Sequence, residues 1–325
     1  MAYALGLSPR AELLAVAVLL DVVLGDPDYG WHPVRLIGST ISVCERMLRR
    51  VGFEGRAGGV LLFFIVATVW AGGLSIAVVG AGSASRWVRA ALHGFVLYSM
   101  LALGSLLRHG RRIEDALRED DVAAARQAVS RLVGRDTQPM DAAACRRAAV
   151  ESLSENLTDG VVSPLFWYAV GGLPLLVLFK VVSTMDSMVG YKTPEYVHFG
   201  WCGARLDDAM NFIPARITWL IIAAAATILP GYSGMKALRH GLSDHGVLPS
   251  PNSGWSEAAA AGGLQRRLVG PIWSHGALVT DVWIGAASDP PLGTDTDYDR
   301  AAALVAVSGL FAAAVAVAAV LTAWR

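Results

Sequence analysis

The stretch Gly58 to Gly82, which reads GGVLLFFIVATVWAGGLSIAVVGAG, contains no charged side chain. A helix needs about 20 mostly apolar residues to cross the hydrocarbon core of a bilayer, and a helix satisfies all of its backbone polar groups internally. The stretch Ala301 to Trp324 also lacks charge and has a similar length. The two stretches therefore predict an integral membrane protein with helical spans.

The composition of the chain supports this prediction. Hydrophobic residues make up 54% of the 325 residues and charged residues only 17%, which exceeds the usual apolar share of a soluble domain. Lys plus Arg and Asp plus Glu both total 27, so no basic surplus is present to bind nucleic acid. The three cysteines are widely separated and form no CxxC pair, which argues against disulfides and a zinc site.

Three other segments are weaker candidates for spans, because each is short or interrupted: Ala90 to Leu107, Val161 to Val182 and Ile217 to Pro230. Gly171-Gly172-Leu173-Pro174 interrupts the second of them, which is typical of a tilted span or of a re-entrant hairpin. The apolar run Ala11 to Gly25 contains Asp21 and no clear cleavage pattern, so we expect it to be retained as a helix of marginal length. The predicted fold class is all-α, a polytopic membrane helical bundle.

We predict one membrane domain over residues 1–325, with a cytoplasmic helical insert outside the bilayer at residues 108–159. The insert shows Ala-rich helical periodicity, broken near Asp120 and near Gly134-Arg135-Asp136, and Pro139 suits a helix start. Arginines before and within it favour a cytoplasmic position by the positive-inside rule. The later stretch Gly231 to Tyr298 is rich in Gly, Pro, Ser and Asp and is predicted to consist mainly of loops.

A row of charged residues lies on the helix predicted after Pro139. Its members are four residues apart and share one stripe of the helix: Arg147, Glu151, Glu155 and Asp159, with Asn156 beside them. Carboxylates at a membrane surface suit magnesium, which takes one or two of them together with substrate phosphates. The alternative is a solvated helix face held by an Arg147 to Glu151 pair.

A second group of charges follows the segment Val161 to Val182. It consists of Lys180, Asp186, Lys192, Glu195, Arg205, Asp207, Asp208, Asn211 and Arg216. Asp207 and Asn211 are four residues apart and face one ligand if the segment is helical. The alternative for Lys180 is snorkelling of its amine to the membrane interface. A P-loop is excluded here, since Asp186 stands where the first glycine of GxxxxGK[ST] belongs.

Two turn-forming stretches carry further polar groups. Near the N-terminus, Asp21, Asp26, His32 and Arg35 flank a turn rich in glycine and proline. His32 is either a functional group or a structural one that bonds a backbone carbonyl. The stretch from Pro249 to Glu257, PSPNSGWSE, combines turn formers with Asn252, Trp255 and Glu257. No GxSxG, HExxH or GxGxxG motif is present, so serine hydrolases, zincins and Rossmann enzymes lack their signatures.

Four long segments together resemble the CobD/CbiB family of adenosylcobinamide-phosphate synthases. In this sequence they read LLDVVLGDPDYGWHPVRLIG from Leu19, GRDTQPMDAAACRRAAVESLSENLTDGVVSPLFWYAVGG from Gly134, FKVVSTMDSMVGYKTPEYVHFGWCGARLDDAMNFIPARIT from Phe179, and LPSPNSGWSEAAAAGGLQRRLVG from Leu248. They occur in the order of the family and cover most of the polar sequence. One departure is Leu248, where the family pattern has histidine.

The resemblance implies an ATP- and magnesium-dependent acid-amine ligase of cobalamin biosynthesis. It would join a carboxyl group of adenosylcobyric acid to aminopropanol or its O-phosphate, and the bond formed is an amide. A carboxylate is a poor electrophile, so we favour its activation by ATP as an acyl phosphate. The resemblance places the protein in the cell (inner) membrane with its active site on the cytoplasmic side, in contact with the lipid bilayer and with other membrane enzymes of cobalamin assembly.

The resemblance also suggests roles for the charged groups. Magnesium would be held by Glu151, Glu155, Asp159, Asp207 and Asp208. ATP and other anionic groups would be bound by Arg35, Arg135, Arg147, Arg205, Arg216, Asn156, Asn211, Asn252 and Trp255. The catalytic candidates are Asp186, His32, Lys180 and Lys192, of which Asp186 or His32 would take the proton of the attacking amine. We expect groups from all four segments to converge on one pocket near the lipid.

Three other functions fit parts of the sequence. A membrane transporter of a polar or anionic substrate is the main alternative, because charges at the membrane edge such as Asp21, Lys180 and Asp186 are also typical of substrate paths. A phosphotransferase or prenyltransferase would use Asp207 and Asp208 with magnesium. A membrane sensor related to the family would use the same polar residues structurally. Amide formation from the expected substrates distinguishes the synthase from all three.

Overall fold

The computed structural model of the protein describes residues 6–25 and 29–324, apart from the side chain of Ala84. The first helices are α1 Ala11–Leu24, α2 Pro33–Arg50, α3 Arg56–Ala67, α4 Gly73–Ala84, α5 Arg86–Tyr98, α6 Leu103–Arg118 and α7 Val122–Val129. They are followed by α8 Ala142–Leu157, α9 Ser163–Val189, α10 Trp201–Ile228, α11 Gly234–Asp244, α12 Ser253–Leu264 and α13 Asp295–Ala323. A hairpin of two strands, β1 Leu268–Ser274 and β2 Ala277–Ile284, lies before α13. The predicted all-helical class is confirmed, with this hairpin as an addition.

Several helical segments of the described chain are long and apolar enough to cross a membrane. There are five of them: Arg56–Ser83, Arg86–Arg118, Ala142–Val189, Trp201–Ile228 and Asp295–Ala323. The first contains the charge-free stretch Gly58 to Gly82, and the last contains all of Ala301 to Trp324 except Trp324. Large apolar side chains of the first segment, such as Phe64 and Ile76, lie on the surface, as expected for contact with lipid tails. Helix α1, at 14 residues, is not among the five.

The chain folds into two compact units. One unit comprises residues 1–102, 163–211 and 313–325, and the other comprises residues 103–162 and 212–312. In the first unit, α2, α3 and α5 all pack against α9. Tyr168 of α9 is fully buried there, and its hydroxyl accepts a hydrogen bond from the Arg10 amide at 2.9 Å. Helix α9 therefore forms the core of the first unit.

Helix α9 is folded back on itself at the predicted interruption. Gly171 and Gly172 leave helical geometry, with φ of −145° and +68° respectively. A side chain at Gly172 would overlap the Leu7 carbonyl oxygen, and this oxygen accepts a hydrogen bond from the Leu173 amide at 3.2 Å. Only glycine combines a positive φ with so close a backbone approach at low cost. The prediction of a break at Gly171-Gly172 is confirmed.

Contacts with α10 show that the two ends of α9 lie close together. Ser163, at the start of α9, donates a hydrogen bond to Asn211 at 2.6 Å. Met185, near its end, packs against Gly203, where an added Cβ would lie 3.0 Å from the Met185 Cγ. A straight helix would separate Ser163 from Met185 by about 33 Å, whereas Gly203 and Asn211 are only about 12 Å apart along α10. Helix α9 is therefore a helical hairpin, and its re-entrant position in the membrane stays a prediction.

The second unit contains three helices, α6, α7 and α8, where the periodicity of Arg111 to Leu157 indicates two or three. Helix α6 ends before Asp120, whose φ is +57°. Helix α8 starts at Ala142 rather than at Pro139, because the Asp141 side chain caps it by accepting a hydrogen bond from the Ala144 amide at 2.7 Å. These helices belong to the same unit as residues 212–312. Their position outside the bilayer on the cytoplasmic side stays a prediction.

The prediction that Gly231 to Tyr298 consists mainly of loops is wrong. Helices α11 and α12 pack tightly together in this stretch, and every residue of α12 from Gly254 to Leu264 is buried. An added Cβ at Gly262 would overlap the backbone of Lys236 in α11. The small residues thus permit close helix packing, although the same composition is also typical of loops.

The β-hairpin has a two-residue turn. Ser274 pairs with Ala277, and the two residues between them, His275 and Gly276, have φ of +52° and +75°. Positive φ at both central residues is the type I′ geometry that matches the twist of a two-stranded hairpin. The β1 strand packs on α8 and α12, which brings the backbone of Val269 to the side chain of Glu151.

Candidate functional site

Glu151 is the centre of a buried ion pair in the second unit. Its Oε2 accepts a hydrogen bond from Arg135 Nη2 at 2.6 Å, and its Oε1 accepts one from the Val269 amide at 3.1 Å. The predicted Arg147 to Glu151 pair is therefore replaced by one with Arg135. Arg147 instead donates to the Leu292 carbonyl at 3.3 Å. With both oxygens engaged, Glu151 holds together α8, the loop before it and the β-hairpin.

The other members of the predicted α8 stripe differ in their surroundings. Glu155 is exposed and Asp159 is half-buried. A π-helical turn over Thr158–Val162 follows α8, and its wider winding displaces Asp159 from the regular four-residue stripe. Asn156 is exposed and donates to the Ser152 carbonyl at 2.9 Å in its own helix. The assignment of these residues to magnesium and ATP stays a prediction.

Glu257 is a buried carboxylic acid that the assignment of site residues does not include. Its residue is 5% exposed, and within the described part of the chain no hydrogen bond to its side chain is found. Burial raises the pKa of Glu257 well above its usual value; the charges of Glu155 and Glu151 raise it further, and only Arg135 opposes them. We call Glu151, Glu155, Glu257 and Arg135 the buried acidic cluster.

A cavity of about 740 Å³ lies beside Arg135. It is lined by Arg135, Asp136, Thr137, Gln138, Pro139, Trp273 and Gly276. Asp136 fixes the loop before α8 to the β-hairpin. Its amide donates to the Trp273 carbonyl at 2.9 Å, and its carboxylate accepts from the Gly276 amide at 2.8 Å. The cavity has the size of a small-molecule site, with a guanidinium and an indole in its wall.

Arg216 is a residue of α10, and its guanidinium lies among aromatic rings near the start of α12. Its guanidinium is 3.7 Å from the centre of the Phe212 ring and 4.7 Å from that of Trp255, and it donates to Asn252 Oδ1 at 3.1 Å. Among the described residues it makes no ion pair with a carboxylate. Trp255 stacks on His245 at 3.9 Å, and its buried Nε1 has no hydrogen-bond partner within residues 6–25 and 29–324. Three predicted anion-binding residues, Arg216, Asn252 and Trp255, are thus brought together.

In the first unit, the hairpin of α9 brings a second set of charges to α10. Asp207 Oδ2 accepts a hydrogen bond from Asn211 at 3.0 Å, so the two side chains lie on one face of α10, as their four-residue spacing predicts. Asp208 is 3.6 Å from Arg205, and its side chain is 33% exposed. Lys192 and Arg205 attract Asp208, whereas Asp186 and Asp208 repel each other. We call Asp186, Lys192, Arg205, Asp207 and Asp208 the hairpin cluster.

The remaining predicted site residues of this unit lie on α9 and α2. Lys180 is half-buried on α9, with its amine 6.0 Å from the ring of Phe179. His32 is buried at the start of α2, with its ring 5.2 Å from that of Tyr29, and Arg35 is exposed on the next turn. Asp26 lies outside the described residues. Roles for these residues stay predictions.

In the described part of the chain, no three His, Cys, Asp or Glu side chains lie close enough together to hold a metal ion by themselves. The hairpin cluster nevertheless fits magnesium bound together with phosphates. Such an ion needs only one or two carboxylates, and Asp207 and Asp208 are adjacent, partly exposed and flanked by cations. Glu151 fits this role less well, since both of its oxygens accept other hydrogen bonds.

Comparisons with known proteins identify the family. The profile described as CobD/Cbib protein matches residues 14–305, a range that includes all four of the segments quoted above. The chain belongs to the CobD/CbiB family. The resemblance stated from the sequence is therefore confirmed.

Several curated members of the CobD/CbiB family are similar to the chain over most of their length. The cobalamin biosynthesis protein CobD of Sinorhizobium sp is 42% identical over 305 residues, which is 90% of this chain and 92% of that protein. CobD of Geobacter metallireducens is 42% identical over 284 residues, or 87% and 89%. CbiB of Salmonella choleraesuis is 40% identical over 277 residues, or 84% and 86%. No solved structure matches the chain.

The sequence did not predict two features of the CobD/CbiB chain, the burial of Glu257 and the contact between Ser163 and Asn211. Glu257 is the only charged residue of α12, whose sequence is SGWSEAAAAGGL, and a single acid in an Ala-rich and Gly-rich helix is a signal that was present in the sequence. Ser163 bonds Asn211 across 48 positions, and no local pattern indicates that contact. Convergence of polar groups from all four segments on one pocket stays a prediction.

Proposed function

We propose that this protein is the amide synthase of cobalamin biosynthesis. It joins a carboxyl group of adenosylcobyric acid to the amine of aminopropanol or its O-phosphate, at the expense of ATP and with magnesium. The observation that carries the proposal is the family match over residues 14–305, together with relatives named as cobalamin biosynthesis proteins at about 40% identity. The charged clusters support it, because they supply the types of group that the reaction requires.

The hairpin cluster suits the activation of the carboxylate. Asp207 and Asp208 would hold magnesium with the phosphates of ATP, and the ion would neutralise the phosphate charge. Lys192 and Arg205 would bind the phosphate oxygens, as cations do in other phosphoryl-transfer sites. Asp186, next to Asp208, would accept a proton. These assignments keep the catalytic roles within one unit.

The group around Arg216 suits an anion. Arg216 meets two aromatic rings and an amide oxygen but no carboxylate of the described chain, and Trp255 Nε1 is a buried donor without a partner there. A phosphate or carboxylate group would satisfy both donors. We assign this group to an anionic part of one of the substrates.

Amide formation by the purified protein tests the proposal. Protein solubilised in detergent receives adenosylcobyric acid, aminopropanol phosphate or aminopropanol, ATP and magnesium, and the amide is detected by its mass. We expect product only when all components are present, and none when ATP or magnesium is left out. Absence of product with either amine would reject the synthase and favour a transporter.

The side of the membrane is a separate part of the proposal. We place the hairpin cluster on the cytoplasmic side of the inner membrane. Lys192 is exposed in the loop between α9 and α10, so a cysteine at this position is open to a membrane-impermeant thiol reagent. We expect Lys192→Cys to react in inverted vesicles and not in intact spheroplasts, and the reverse pattern would contradict the placement.

A further inference from the structure

The carboxylate of Glu257 is buried and has no hydrogen-bond partner among the described residues, so a positively charged ligand would stabilise it. It lies in the middle of α12, among buried Gly, Ala, Ser, Trp and Leu residues. A buried carboxylate is costly unless it is paired and hydrogen-bonded. Within the described part of the chain no hydrogen bond to the Glu257 side chain is found, and two further carboxylates, those of Glu155 and Glu151, act on it.

Among the described residues, the cation that acts on Glu257 is already bonded to another acid. Arg135 acts on Glu257 but is bonded to Glu151 at 2.6 Å. In contrast Glu114, another fully buried acid of this unit, accepts hydrogen bonds from Arg118 and Arg146 at 2.8 to 3.1 Å. The same unit thus contains one buried acid with two guanidinium partners and one with none of its own.

The surroundings of Glu257 include an exposed acid and a cavity. Glu155 is exposed on α8, and its charge acts on that of Glu257. Arg135, a member of the same cluster, forms part of the wall of the 740 Å³ cavity. The cavity thus adjoins the cluster at Arg135.

An ammonium group fits this position better than a metal ion. Glu151 already accepts hydrogen bonds at both oxygens, which leaves it less available to share a metal ion with Glu257. An ammonium group has three donors and is satisfied by one carboxylate with further acceptors nearby. We infer that Glu257 binds the ammonium group of the amine substrate, with Glu155 at the entrance. The inference rests on the proposed function for the identity of that amine.

Binding without turnover tests the inference independently of the synthase activity. Aminopropanol is titrated into the full-length protein in detergent, in parallel with propanediol, in which a hydroxyl replaces the amine. We expect the amine to bind at least tenfold more tightly than the diol. Equal binding of the two compounds would overturn the inference even if the protein proves to be a synthase.

In the variant Glu257→Gln the side chain has nearly the same shape as that of glutamate but carries no charge. Loss of a hydrogen bond between charged groups predicts a roughly 10- to 100-fold weaker binding of aminopropanol and a similar rise in its KM. The KM for ATP should change less than about threefold, and the thermal stability should not fall. Glu257→Asp, which retains the charge, should recover part of the binding.

Glu114→Gln is the matched control, because it changes a buried acid of the same unit that has its own partners. We expect it to lower thermal stability without a change in the KM for the amine. An unchanged amine KM in Glu257→Gln overturns the inference. So does a higher magnesium requirement at an unchanged amine KM, which would identify a metal site. Amine binding that depends on Glu257 without amide formation would retain the inference and reject the proposed synthase.

Discussion

The hairpin cluster and the buried acidic cluster contain similar residues in opposite situations. In the first, Asp208 is 33% exposed and its arginine is 3.6 Å away. In the second, Glu151 is buried and bonded at 2.6 Å to Arg135. A loosely paired and partly exposed carboxylate can exchange its partner for a ligand, whereas a buried pair cannot be broken without leaving an uncompensated charge. Rows of acids that look equivalent in sequence thus differ in what they can bind.

The largest effect that separates the clusters is expected for Glu151→Ala. The substitution leaves the half-buried Arg135 without its carboxylate and the buried Val269 amide without its acceptor, which should cost about 3–5 kcal/mol of folding stability. Thermal and chemical unfolding in detergent measure the change. Glu119→Ala, at an exposed position, is the control and should stay within about 0.5 kcal/mol. A stable variant that has lost only its magnesium dependence would show that Glu151 is a metal ligand after all.

A smaller effect, on activity rather than on folding, is expected for Asp208→Asn. Removal of a carboxylate from magnesium and phosphate should slow amide formation about 100- to 1000-fold, equivalent to about 3–4 kcal/mol. Stability should be kept, because the repulsion between Asp186 and Asp208 is removed as well. Initial rates at several magnesium concentrations provide the measurement. Asp115→Asn, at an exposed acid paired with Arg111, should have normal rates, and normal rates in Asp208→Asn would refute the assignment.

The break at Gly172 lets α9 fold back on itself and so positions Asp186. A substitution of Gly172 tests whether this break needs glycine. An alanine at φ +68° and ψ −155° costs about 1–3 kcal/mol from the backbone conformation alone, and its Cβ would also overlap the Leu7 carbonyl oxygen. We expect Gly172→Ala to lower the Tm and to reduce amide formation. Gly80→Ala is the matched control, since nothing lies within 4 Å of the added Cβ in a regular helix. Equal Tm values for the two variants would mean that the break does not need glycine.

The smallest effect, on the pH dependence of stability, is expected for Asp244, an acid outside both clusters that accepts several hydrogen bonds. Hydrogen bonds from Ser243, His240 and the Gly285 amide lower the pKa of Asp244, and they outweigh its burial, which would raise it. A lowered pKa adds stability above the unfolded value of about 4, and this stability is lost as the pH falls through the folded value.

Asp244→Asn should therefore be about 1 kcal/mol less stable than the unmodified protein at pH 7. The difference should begin to shrink below about pH 4 and should disappear as the pH falls through the lowered pKa of the native carboxylate. Unfolding curves across this range check the prediction. Asp281→Asn, at an exposed acid of β2, should show no such pH dependence, and a difference for Asp244→Asn that persists at low pH would contradict the assigned cause.

Much of the fold could be predicted because its signals are local. The charge-free runs, the break at Gly171-Gly172 and the end of α6 near Asp120 all depend on nearby residues, and all are confirmed. The stretch from Gly231 to Tyr298 was misjudged because Gly, Ser and Ala serve both loops and closely packed helices. Only the neighbouring helix, such as α11 beside Gly262, distinguishes these two uses.

The sequence by itself determined the membrane class, the family and the types of charged group available, since these depend on composition and on motifs in order along the chain. The tertiary structure decided which acid is paired and which is not. Glu151 and Glu155 are one helical turn apart, yet one is buried against Arg135 and the other is exposed. Glu257 joins them only through the packing of α12 on α8. The energy of a charge depends on its burial and on its partners, and both are set by contacts between residues far apart in the chain.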